Sequence, residues 1–156
     1  MQATQHKRVV LSTLWLFATL NYLYCDVVTL MDPTLLKQFL AGNIGGIEVS
    51  QAFLLAAGAL VEIPIAMVFL ARVLPDRFNP WANILAGVVM TLVQALSVVG
   101  RLGDGYYLFF SAFEILATAS VVFYAARWIR ERRASGSFGS ADGADLDPVG
   151  GVATSS

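Results

Sequence analysis

The chain has 156 residues, of which 57% are hydrophobic and 13% charged, with a net charge of −1. A soluble domain normally carries about 25% charged residues, so this excess of apolar side chains excludes an ordinary water-soluble fold. The near-neutral balance offers nothing to nucleic acid, the single cysteine excludes an internal disulfide or CxxC pair, and the single histidine excludes paired-histidine haem ligation within one chain.

The apolar residues fall into four blocks, Val9–Leu30, Ser50–Leu74, Trp81–Gly100 and Gly105–Trp128. Each is about 20 residues or longer, enough for a helix to cross a hydrocarbon core about 30 Å thick. The soluble-core reading would instead need four buried helices and almost no amphipathic face anywhere. Lys7–Arg8 precede the first block as in a signal peptide. No small-x-small cleavage site follows, however, and Tyr24 sits before Cys25 where a lipoprotein signal needs a small residue. The block is therefore expected to remain as a membrane helix.

Between the first and second blocks, Asp32-Pro33 reads as an N-cap followed by proline at the first helical position, with Gly42 as the stop. Leu35, Leu36, Phe39 and Leu40 share one face, so a short helix over Pro33–Ala41 is expected to lie on the membrane surface. Asn43, Gly45 and Gly46 then predict a flexible turn, and Ser50 can cap the second helix. Pro75–Pro80 and Arg101–Gly105 are short turns, which force antiparallel neighbours and an all-α, up-down four-helix bundle over residues 1–133. Residues 134–156 are rich in Gly, Ser, Ala and Asp and are expected to form a disordered tail.

With four spans both termini share a side. That side would hold Lys7, Arg8, Arg72, Arg77, Arg127, Arg130, Arg132 and Arg133, against Lys37 and Arg101 opposite. The positive-inside rule then predicts that both termini are cytoplasmic, and the plasma membrane is the expected location. Trp81, Trp128 and Tyr106–Tyr107 fit the interfacial aromatic belts.

The chemistry lies in polar residues within the blocks. At about 1.5 Å per residue, Asn21 lies roughly 18 Å and Asp26 roughly 25 Å along the first block. Glu62 falls near the middle of the second block, Gln94 in the outer half of the third and Glu114 near the middle of the fourth. Tyr22 stands four residues before Asp26, so its phenol can donate to that carboxylate. A carboxylate facing lipid costs at least about 2.5 kcal/mol. Asp26, Glu62 and Glu114 are therefore expected to converge inside the bundle. No Lys or Arg lies at their depth, which favours the neutral, protonated acid for at least one of Glu62 and Glu114. Pro64 removes a backbone donor and opens the turn that holds Glu62. Ala56–Ala59 permit close packing, Cys25 is a small buried hydrophobe, and the Arg127–Arg133 cluster can contact anionic lipid.

Two readings of these groups stand. They can line a binding or permeation site for a proton, cation or small amine, using Asp26, Glu62, Glu114, Tyr22, Tyr24, Asn21 and Gln94. Alternatively, they only bond helices together in a structural or accessory subunit, each bond contributing about 0.6 to 2 kcal/mol. A third possibility is a membrane-embedded enzyme of lipid-isomerase type, with paired carboxyls moving protons. No metal site, nucleophile triad or phosphate loop accompanies it, so neither enzyme activity nor a cofactor is expected. The expected partners are the lipid bilayer and another membrane protein or a second copy of the chain.

NYLYCDVVTL, VEIPIAMVFLARVL, NPWANILAGVVMTLV and FFSAFEILATASVVFYAARW, in that order, resemble an uncharacterised bacterial family of small four-helix integral membrane proteins. Its Tyr-x-Tyr-x-Asp segment is matched by Tyr22, Tyr24 and Asp26, its Ile-Pro segment by Ile63–Pro64 and its fourth-helix Glu by Glu114. Glu62 is a less regular feature of that family. The resemblance covers about residues 8 to 133 and implies the fold and the membrane location, with no activity attached.

Overall fold

The structure, a computed structural model, describes residues 2–99, 101 and 103–141, with side chains to Ala134. Its elements are α1 (Gln2–Leu30), α2 (Pro33–Leu40), β1 (Asn43–Ile44), β2 (Ile47–Glu48), α3 (Gln51–Val73), α4 (Asn79–Val99) and α5 (Gly105–Ala141). Helices α1, α3 and α4, and Gly105–Ala134 of α5, are each long and apolar enough to cross a membrane. The protein is thus an all-α, multi-pass membrane bundle, as its composition requires. Helix α1 packs between α3 and α5, α4 lies along α5, and α3 and α4 touch only lightly.

Helices α1, α4 and α5 outrun their apolar blocks where partners satisfy their polar ends. Helix α1 begins at Gln2 rather than Val9, and its charged turn is held by Lys7 to Glu131 and by Arg8 to Asp76. Helix α4 begins at Asn79 rather than Trp81. Pro80 sits in its first turn, where a missing N–H leaves nothing unpaired. Helix α5 runs past Trp128 to Ala141, braced by an Arg127–Glu131 pair at i, i+4. Residues 134–141 of the expected tail therefore continue a helix, and residues 142–156 lie outside the described residues.

The connection after α1 follows its capping chemistry. Asp32 accepts from the amides of Thr34 (2.8 Å) and Leu35 (3.4 Å), with Pro33 next in line. The turn expected to be flexible is instead a hairpin, pairing Asn43 with Glu48 and Ile44 with Ile47. Gly45 (φ 56°) and Gly46 (φ 88°) form its two-residue loop, a conformation that glycine adopts without strain. Ser50 caps α3 through the Phe53 amide at 3.2 Å.

The apolar core lies towards the terminal face, the side that carries the start of α1. Leu11, Trp15, Met67, Ala71, Met90, Val121, Ala125 and Trp128 make up most of it. Helices α4 and α5 approach closely at Gly87, where an added Cβ would stand 2.7 Å from Val122 Cγ2 and 3.3 Å from the Thr118 carbonyl. Gly87→Ala is expected to destabilise the bundle by about 1 to 3 kcal/mol through overpacking. Gly58→Ala, with nothing within 4 Å of the new Cβ, should be neutral or slightly stabilising. Denaturant titration of both variants in mixed micelles checks the pair; equal effects would contradict the close approach.

Candidate functional site

Among the described residues Glu114 is the most deeply buried acid, 1% exposed, in the first third of α5. Neither carboxyl oxygen has a hydrogen-bond partner, and the same holds for the hydroxyl of Tyr22. Around Glu114 the α4–α5 seam is tied by polar contacts. Gln94 Nε2 donates to Ser111 Oγ at 2.7 Å, one turn before Glu114. Thr91 Oγ1 meets Thr118 Oγ1 at 2.8 Å, one turn after it, and Thr118 Oγ1 also donates to the Glu114 carbonyl at 2.9 Å. These contacts fix the backbone of Glu114 and leave its carboxyl without a mate.

The neighbours of that carboxyl come from α1 and from the start of α5. Tyr22, Cys25, Asp26 and Tyr107 are all near enough to interact electrostatically with Glu114. Cys25 is 4% exposed. Arg101 closes this end, at 2.9 Å from Asp104, 2.7 Å from the Tyr106 hydroxyl and 4.1 Å from the Tyr107 ring centroid. Asp26 itself is exposed, on the outer flank of α1. A buried acid thus sits one helix face away from a more accessible one.

Other sequence expectations are corrected. Tyr22 does not donate to Asp26: its ring turns into the bundle while Asp26 turns out, although both occupy one helical stripe. Glu62 does not join Glu114 but is exposed on α3, whose outer half packs against little. Tyr24 is 61% exposed, and half-buried Asn21 donates to Phe17 of its own helix at 3.0 Å. Pro64 is buried against the core within a continuous α3, so it does not aim Glu62 inward. Three helices rather than four supply the site. Among the described residues no group of three or more His, Cys, Asp or Glu could hold a metal ion.

A model of DUF6326, a family of unknown function, matches residues 1–135. The chain belongs to that family. No curated protein and no solved structure matches it. The DUF6326 match spans α1 to α4 and reaches residue 135 of α5, so Tyr22, Asp26, Gln94 and Glu114 all lie inside it.

One polar network of this DUF6326 chain escaped the sequence reading. Trp15 Nε1 donates to Asn83 Oδ1 at 2.7 Å, Asn83 Nδ2 to Asn79 Oδ1 at 2.8 Å, and Asn79 Nδ2 to the Ala71 carbonyl at 2.7 Å. All three side chains are fully buried and link α1, α4 and the end of α3. The signal was present in NPWAN, where two asparagines at i, i+4 begin an apolar helix. Ser12 adds a second tie, donating to the Val68 carbonyl at 2.8 Å and accepting from Arg72 Nε at 3.0 Å.

Proposed function

We propose that this protein is a small binding or permeation module, without enzymatic activity, whose working group is the Glu114 carboxyl and whose cargo is a proton. One observation carries the reading: a carboxyl 1% exposed in a membrane bundle, with neither oxygen bonded. An ionised carboxylate in that position lacks both water and a counter-charge, so the group must hold a proton or a cation. Its tight enclosure favours the proton; a cation or small amine requires α1 to part from α5. Exposed Asp26 is the entry point, and Tyr22, Cys25 and Tyr107 lie around the short path inward. In proteoliposomes under an imposed membrane potential, wild type is expected to pass protons well above protein-free vesicles, and Glu114→Gln is not. Equal flux through both proteins would sink the permeation reading.

A structural or accessory subunit is the second reading, and the exposed Glu62 on the thinly covered half of α3 favours it. A carboxyl there gains from cover by another membrane protein or a second copy. The lipid-isomerase reading has only the Asp26–Glu114 proximity in its support.

The basic residues support an orientation: eight of ten gather at the terminal face, with Lys37 and Arg101 opposite, which favours cytoplasmic termini in the proposed plasma-membrane location. In intact cells, Lys37→Cys should react with a membrane-impermeant maleimide while Ala134→Cys is protected. Labelling at position 134 would invert the topology.

A further inference from the structure

The terminal face carries a feature that the proton site does not use. Arg77 in the α3–α4 turn meets Arg132 and Arg133 of α5 around a recess of about 300 Å³ floored by Pro80, Trp81 and Ile129. No acid lines it. The nearest carboxylates are already engaged, Asp76 by Arg8 and Glu131 by Lys7 and Arg127. Among the described residues no ion pair involves Arg77, Arg132 or Arg133; Arg132 donates to the Asp76 carbonyl, and Arg77 lies 4.7 Å from the Phe78 ring centroid. Three guanidiniums around one hollow repel one another unless an anion lies between them. Their planar forks suit phosphate oxygens, and α4 begins here with the positive end of its dipole.

A second, separate hollow on the same helix pair points to the anion's carrier. Further along the same helix pair runs an apolar groove of about 310 Å³, lined by Val88, Leu92, Ala119, Val122 and Phe123 with Thr91. On α4, Trp81, Leu85, Val88 and Leu92 follow one face at i, i+4, i+7 and i+11. On α5, Ala119, Val122, Ala126, Ile129 and Arg133 do the same. From Trp81 to Val88 is about 10 Å along the axis, so the groove starts where the glycerol of a lipid held by the arginines would end. Trp81, 57% exposed, lies near the start of the α4 span, the position that interfacial indoles prefer. We propose that the α4–α5 face binds one anionic phospholipid, its phosphodiester between Arg77, Arg132 and Arg133 and an acyl chain in the Val88–Phe123 groove.

The test is native mass spectrometry of the full chain released from micelles holding equal amounts of phosphatidylglycerol and phosphatidylcholine. Wild type should retain one phosphatidylglycerol in preference. R77Q/R133Q should lose that preference by about fivefold for each arginine, whereas charge-matched R127Q/R130Q should keep it. A119W, which fills the groove and leaves every charge in place, should also release the lipid. Equal losses in the two double variants would mean diffuse surface attraction and overturn the site. So would retention of phosphatidylglycerol by A119W, or its displacement by millimolar inorganic phosphate, which would make a soluble anion the ligand.

Discussion

Glu114→Met is expected to leave the bundle as stable as wild type or more so, while Glu114→Ala lowers its stability by about 2 to 4 kcal/mol. The alanine variant loses packed volume from a site 1% exposed. Methionine keeps that volume and removes two oxygens that have no partner in the fold. Replacing an unsatisfied polar group by an apolar one of the same shape is neutral or stabilising. A residue that weakens its own fold is a sign of function retained against stability. The packing reading predicts the reverse: if the carboxyl holds helices together, Glu114→Met must destabilise. Reversible unfolding in mixed micelles separates the two, and a loss above about 1 kcal/mol in Glu114→Met would favour a structural role.

Asn83→Leu is expected to destabilise the protein by about 2 to 4 kcal/mol. It strands the indole N–H of Trp15, 0% exposed, which has its acceptor at 2.7 Å in Asn83. Asn79 Oδ1 loses its donor, at 2.8 Å, in the same step. Each stranded buried group costs about 1 to 3 kcal/mol in water-soluble proteins, and less in a membrane, where the unfolded helices also find partners. Adding Trp15→Phe removes the stranded donor, so the double variant should recover part of the loss. Additive losses in the double variant would show that Trp15 and Asn83 are not coupled.

The four spans were legible in the sequence because length and apolarity alone decide whether a helix crosses a bilayer. Their ends were not, since Gln2–Arg8 is helical only with Glu131 and Asp76 to receive Lys7 and Arg8. The burial of Glu114 was legible, as was that of Gln94, although its partner Ser111 was not. Glu62 shows where the reasoning stopped. Helix α3 is apolar nearly all round, so its periodicity does not say which face meets α1, and the cost of exposing a carboxyl pointed inward. Packing placed Glu62 outside. Tyr22 and Asp26 show the same limit at shorter range, for i, i+4 spacing brings two residues to one stripe without making their side chains meet.

Infrared difference spectroscopy of the reconstituted protein, following the carboxyl C=O stretch, tests the central claim most directly. A protonated Glu114 without a hydrogen bond should give a band that shifts in heavy water, is absent from Glu114→Gln, and loses intensity as the medium is made alkaline while the bundle stays folded. Asp26→Asn should keep the band and slow its response, on the proposal that Asp26 is the entry point. If wild type and Glu114→Gln give the same spectrum, or the band is indifferent to pH wherever the protein is folded, Glu114 is not a proton site and the account is contradicted.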